Sequence, residues 1–559
     1  MLTPPAPDST GTSSQEWSAS GVATLPDLAA SVFLKLPAEL ILHCLEYLSP
    51  KDLVTVAATC RTLSKAAAVD GLWQRHVNAN LHFPLISPQP LPSFKALYCA
   101  HHPYWFLTRN QIWISDQDPC GKLVIARYNQ STGAIEAHTV VAERGLQTQQ
   151  RWEQDSDVMI IGFEPQVKLH LEAPVLRLNA DSPMIESSQE VLMDCSTPNS
   201  PGLHNAFVLS RDYPNHLLTS GSAVWPSMSI PAPTRTRNLS ASDFTSLAHR
   251  PSSFSEVSQS TFRVRKWVEY HGRRSSSTVS RSEAMDRLAA VAGMNIFAQM
   301  TGAIPRGLFT DRRGDRVTTF GTIDPEAYTP TPRKPWRGIY CGDYSGHGCE
   351  FLLVLQIDEA DADPLPKGLN WLMEWLTGGR RMEEGRNDLA ARTYTRMNEI
   401  LTDMEARDGL RRRTGEGQDD DDDDDMDDDD DWEEPEGVTG DLARLTGVDS
   451  VDPEEVYTGR LVALKLTGDP HVPRGEISFI APDLGPKGYH RTAEEDIFRG
   501  ARVVRSAGHV ANRGFIHDEY IPSELILVSH DQLAQYWKGF GHVSFYKRVD
   551  IDALLAHNW

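Results

Sequence analysis

The sequence predicts an α+β multidomain chain: a small three-helix block near the N-terminus, then a mostly antiparallel, β-barrel-like domain interrupted by disordered insertions. Three observations predict it. Apolar residues recur at helical spacing between residues 32 and 82. From about residue 104 the pattern changes to short β-rich runs bounded by Gly, Asn, Asp or Pro. Long Ser/Pro/Thr-rich and acidic stretches carry too little apolar surface to offset the entropy of ordering.

At 559 residues the chain has room for several domains with sizeable cores. Its net charge of −23 is concentrated: Asp419 to Glu436 holds fifteen acids and no base, and without that stretch the balance is −8. A mildly acidic folded part argues against broad nucleic-acid binding, which needs a basic face to displace counterions from phosphate, so nucleic acid is not an expected partner. Seven cysteines are scattered without a C-x-x-C pair, which fits a reducing compartment. No basic start leads into an apolar stretch, and no run of about 18 apolar residues occurs, so no membrane is expected and the predicted location is cytoplasm and/or nucleus.

Taken in order, residues 1–30 are Pro/Ser/Thr-rich and predicted disordered, and 32–82 form the helical block. Residues 100–178 open the β domain with YWFLTRNQIWI, KLVIARYN and IEAHTVVAE as strands. Residues 183–260 read as a largely disordered Ser/Pro-rich insertion around one or two strands. The β domain continues over 262–358, with a helix near 281–300. A second insertion, 360–456, contains WLMEWLTGGRR, a charged helix near 387–409 and the Asp tract, which repels itself into a solvated loop. The final strands fill 457–552. One nearly closed sheet is the economical arrangement, because closure removes the edges that many short strands would expose.

Within the helical block, Pro37 stands where a first turn tolerates a missing N–H, and Leu40, Ile41, Cys44, Leu45 and Leu48 share one apolar face. Ser49 is placed to cap the next helix, with Pro50 at its first position and Asp52 within reach. Leu53, Val56, Ala57 and Cys60 form a second stripe, and Leu72 and Trp73 a third contact. Helices this short bury too little surface to stand alone, so a companion subunit is expected. The succession LP-x-E-L-I, L-S-P-x-D-L, Cys-Arg and Leu-Trp resembles the F-box, departing from it at Leu63, where an aromatic often stands. That resemblance implies docking to the adaptor Skp1 and, through it, to a cullin, a RING subunit and a ubiquitin-conjugating enzyme. It carries the adaptor contacts onto Leu36, Pro37, Leu40, Ile41, Pro50 and Leu53, and leaves Cys60 and Trp73 to the internal core.

The stretch RGIYCGDYSGHGCEFLLVL, residues 337–355, packs His347, Cys341, Cys349 and Glu350 between glycines. Gly342, Gly346 and Gly348 suit a hairpin or bulge. Cys341-x5-His347-x-Cys349 lacks the paired spacing of a structural zinc site, so no metal and no cofactor is expected. His347 and Glu350 make an acid–base couple, but no G-x-S-x-G nucleophile accompanies them, which favours scaffold or binding over catalysis. A second block, LVALKLTGDPHVPRGEISFIAPDLG, sets Lys465 at a strand end before the stiff turn Thr467–Pro473. A third ends in His542, Ser544, Tyr546 and Arg548 alternating with Val543, Phe545 and Lys547, as a strand with two distinct faces does.

In this order after an F-box, W-x-G-x-Y, HG-x-E, K-x-TGDP-x-VP-x-G and the closing S-x-Y-x-R-V resemble the substrate-binding domain of the F-box-only protein thirty-one family. The resemblance implies a β-barrel that captures client proteins, cyclins among them, for ubiquitination and proteasomal degradation, with no catalytic residue of its own. Tyr344, His347, Glu350, Lys465, Thr467, Asp469 and His471 are the candidate client contacts, being polar groups on turns beside strands. The local alternative is that Tyr344 and His347 cap strand ends and Asp469 bonds its own turn. Two other functions stay open: a small-ligand sensor with the metabolite inside the barrel, and an enzyme using His347 and Glu350.

Overall fold

Residues 32–211, 251–268, 316–376 and 453–556 are described by the computed structural model, apart from 118, 146–147, 156–157, 182–183, 186–189, 194–202, 363, 367 and 539–540. The expected disordered N-terminus, the helix near 281–300, the charged helix near 387–409 and the Asp tract lie outside the described residues. Two units divide between His76 and Val77.

The first unit is built on α1 (Ala38–Leu45), α2 (Pro50–Ala57), α3 (Arg61–Ala67) and the start of α4 (Asp70–Asn78). The α2 cap is the one the sequence predicts, and the α3 cap is not. Ser49 Oγ accepts the Asp52 N–H at 3.2 Å and donates to the Asp52 carboxylate at 2.7 Å, with Pro50 at the first helical position. Cys60 caps α3, its Sγ accepting the Leu63 N–H at 3.5 Å. Trp73 is buried and donates its indole N–H to the Ala67 carbonyl at 2.7 Å. Ile41, Leu45, Leu53 and Leu72 join it in the interior. Of the six assigned adaptor contacts, Ile41 and Leu53 are buried in the free chain, Ile41 sharing an i, i+4 stripe with buried Leu45. Leu36, Pro37 and Leu40 are exposed, and Pro50 is half-buried. Tyr47 and Val54, absent from the assigned set, add to the exposed apolar surface.

The second unit holds two large antiparallel sheets where the sequence predicted one. The first is built from β1 (Ile112–Ser115), β2 (Leu123–Asn129), β3 (Ala134–Glu143), β6 (Gln166–Leu169), β7 (Leu176–Asn179), β8 (Met184–Ile185), β9 (Glu190–Met193), β10 (Leu203–Arg211), β11 (Val257–Val268) and β12 (Arg316–Thr322). Its order is β6-β3-β2-β1-β12-β11-β10-β9-β8, with β7 also on β3; β4 (Gln149–Arg151) and β5 (Met159–Ile161) pair separately. The run YWFLTRNQIWI is not one strand. Its first half is a helix, Phe106–Asn110, stopped by Gln111 at φ 62°, and β1 starts at the next residue.

The second sheet comprises β13 (Gly338–Asp343), β14 (Cys349–Ile357), β15 (Arg460–Lys465), β16 (Ile477–Ala481), β17 (Tyr489–Thr492), β18 (Arg502–Asn512), β19 (Ile516–Leu527), β20 (Gln532–Trp537) and β21 (His542–Arg548). Their order is β16-β15-β14-β13-β21-β20-β19-β18-β17, and β16 also pairs with β18, which closes an eight-stranded barrel with β17 outside the ring. Alternate residues separate its faces. Ile339, Cys341, Phe351, Leu353, Val462 and Phe545 share a cluster with Ile112, Ile114, Leu123 and Ile125 of the first sheet, so they form the outer wall. Tyr340, Leu352, Val354, Leu461, Phe479, Leu525 and Tyr546 form the opposite cluster and fill the inside. Gly342 is glycine because a Cβ there would meet the Tyr546 ring at 2.6 Å.

Candidate functional site

One end of the barrel is set by two connections. After β13, residues 344–348 turn back into β14: the His347 N–H bonds the Tyr344 carbonyl, the Tyr344 N–H bonds the Gly348 carbonyl, each at 3.0 Å, and Gly348 takes φ +88°. After β15, the Gly475 N–H returns to the Lys465 carbonyl at 2.7 Å. Thr467 Oγ1 accepts the Phe351 N–H at 2.8 Å, while the Leu466 and Thr467 N–H groups donate to the Phe351 carbonyl. The loop is also bound to the chain after β1, through Gly468 N–H to Cys120 O and Arg474 N–H to Pro119 O at 2.8 and 2.9 Å. Because Leu352 is the register partner of Lys465, residues 113 apart in sequence become neighbours, and Glu350 lands beside Lys465.

Lys465 Nζ stands 2.8 Å from Glu350 Oε2 and 2.6 Å from Asp469 Oδ2, with a side chain 2% exposed. It also lies 4.1 Å from the centre of the Tyr344 ring, whose hydroxyl bonds Ser478. Asp469 Oδ1 accepts the His471 and Val472 N–H groups at 2.5 and 2.9 Å, so the expected turn bond is present together with the ion pair. His347 and His471 meet edge to face, ring centres 4.8 Å apart. The structure thus gathers all seven candidates at one mouth, with Glu350, Lys465, Asp469 and His471 buried and Tyr344, His347 and Thr467 half-buried.

Two carboxylates compete for one ammonium. Burial pushes the Glu350 carboxyl well up, Lys465 opposes this and Asp469 adds to it. Burial would also raise Asp469, but Lys465, His347 and the Glu350 hydrogen bond together hold that carboxyl down. Burial disfavours the Lys465 ammonium, yet Glu350 and Asp469 together raise its pKa. The neutral arrangement is a charged Lys465–Asp469 pair with the proton retained on Glu350.

Deeper inside, the mouth continues as a polar network that sequence reasoning missed. Tyr546 donates to Gln535 at 2.9 Å, Gln535 to Ser523 at 3.0 Å, and Ser523 meets Ser506 at 2.8 Å. Trp537 donates to Ser544 at 3.1 Å. The alternation Ser544, Tyr546 was the signal for its inward face; β20 itself, carrying Gln535 and Trp537, was not predicted. A pocket of about 460 Å³ lies elsewhere, lined by His82, Arg127, Tyr128 and Leu555 among others, with none of the mouth residues. Among the described residues, no helix is long and apolar enough to cross a membrane.

Comparison with known families returns two matches. Residues 33–79 match an F-box-like model, and residues 320–553 match the cyclin D1 binding domain model, which contains the whole closed barrel. No curated protein matches the chain at a significant level. An F-box-like helical segment thus precedes a closed barrel inside a cyclin D1 binding domain match, and together the two matches support an F-box protein.

Proposed function

We propose that this chain is the substrate-recognition subunit of a Skp1-cullin-F-box ubiquitin ligase, of the F-box-only protein thirty-one kind, acting in cytoplasm or nucleus. The observation that carries the proposal is apolar surface left bare within the F-box-like match: Leu40 is 49% and Tyr47 74% exposed, and Leu36 and Val54 are exposed as well. Soluble helices of this size leave such a surface open when a partner covers it. The cyclin D1 binding match supports a cyclin-like client, and the loop bonds around Thr467 and Gly468 support a rigid presenting surface. In this reading Tyr344, His347 and Thr467 meet the client, while buried Glu350, Lys465, Asp469 and His471 hold the mouth in shape. The ligase chemistry resides on the conjugating enzyme, and the receptor contributes the effective concentration of a client lysine.

Affinity capture with neddylation blocked tests this. Pro37→Ala plus Leu40→Ala is expected to remove Skp1 and cullin from the recovered proteins while the client remains; undiminished Skp1 recovery overturns the proposal. His347→Ala, on a half-exposed turn, is expected to reduce client and spare Skp1. Unchanged client recovery moves the client site away from the mouth.

A further inference from the structure

Three potential ligands for a metal ion converge at the mouth although no spacing rule joins them in the sequence. One atom each from His347, Asp469 and His471 lies within 4.8 Å of the others. We propose that these residues form a binding site for a divalent transition-metal ion, zinc being the simplest fit, with a coordination position left open to solvent. Two imidazoles and one carboxylate are the donor set that borderline ions take, whereas magnesium and calcium prefer oxygen alone.

The surroundings suit this role. A carboxylate has about four acceptor positions, and Asp469 commits three of them: two to the His471 and Val472 N–H groups and one to Lys465. These three bonds orient the carboxylate as outer partners of a metal ligand do, and a metal ion would displace the Glu350 carboxyl from the fourth position. His471 is buried two residues further on the same stiff loop, so two ligands are preset. His347 is the adjustable one. Zinc bonds of about 2.0–2.1 Å set ligand atoms roughly 3.4 Å apart, so closure needs movement on the order of 1 Å. Gly346 and Gly348 flank His347, and even a Cβ built on Gly348 would touch nothing within 4 Å. Half-buried His347 leaves the open position toward solvent, available to water or to a donor group of a bound protein.

The test uses the full-length chain, stripped with chelator and titrated with zinc chloride by calorimetry, with metal content measured after gel filtration. Wild type is expected to retain about one equivalent more than His347→Ala plus His471→Ala. Each single variant should lose about tenfold or more in affinity. The Asp tract is common to all variants, so its weak binding cancels in the difference. Cobalt(II) is expected to give wild type a visible absorption band that zinc bleaches and that His347→Ala lacks. His347→Ala lies on a half-exposed turn, and circular dichroism checks that it stays folded. Equal zinc retention and identical cobalt spectra in wild type and His347→Ala overturn the site. These readouts require neither Skp1 nor a client, so they can fail while the receptor reading stands.

Discussion

The two ends of the barrel are closed by different chemistry. At one, Trp336 donates to the Ser529 carbonyl at 3.0 Å, Tyr340 to the His530 carbonyl at 2.9 Å, and Arg548 to that same His530 carbonyl. Main-chain oxygens of the β19–β20 connection are satisfied by neutral or exposed-partner donors, and the inside there is apolar. At the other end, Lys465 and Asp469 bury charge against charge, with the Glu350 carboxyl beside them. Buried ion groups contribute little net stability relative to apolar side chains of similar volume, whereas removing one member leaves the others uncompensated. The first end is therefore a plug, and the second is a shaped mouth maintained at an energetic disadvantage, as functional sites often are.

The largest expected effect breaks that contrast at the mouth. Lys465→Met leaves the buried Asp469 carboxylate without its ammonium and should lower stability by about 3–5 kcal/mol in denaturant unfolding; a loss of under about 1 kcal/mol would show the cluster to be solvated. At the plug, Tyr340→Phe removes one hydrogen bond to His530 and should cost about 0.5–1.5 kcal/mol by the same measurement, leaving the mouth unaltered.

A smaller, pH-dependent effect comes from the outer wall. Burial pushes the Glu524 carboxyl up, but His490 and Lys538, at 3.0 and 2.6 Å, outweigh it and hold it down at about 2. A carboxyl lowered on folding stabilises above its unfolded value near 4.5, and that contribution is lost as pH falls toward 2. Glu524→Gln should flatten the stability curve across that window, measured as unfolding midpoint against pH; an unchanged slope assigns the acid sensitivity elsewhere.

The local signals were legible and the long-range ones were not. Ser49, Pro50, Asp52 and Trp73 behave as their sequence positions predicted, because caps and short helical stripes are decided within a few residues. The seven mouth candidates were visible as turn polars, but that Lys465 would be buried between Glu350 and Asp469 depends on the β14–β15 register, which spans the long insertion. The division into two sheets was hidden for a similar reason: β1 pairs with β12, about 200 residues away, a choice no local alternation encodes. The burial of Ile41 and Leu53, against the exposure of Leu36 and Leu40, was not legible because a helix stripe shows what is apolar but not which side faces a partner. The His347, Asp469, His471 grouping escaped because metal spacing rules read neighbours in sequence, and only the β14–β15 pairing brings these together.

The most direct measurement mixes purified full-length chain with purified Skp1 and determines mass in solution. A stoichiometric complex that is lost in the Pro37→Ala, Leu40→Ala variant is the expected result. A chain that remains monomeric beside Skp1 while its circular dichroism shows it folded would contradict the receptor assignment.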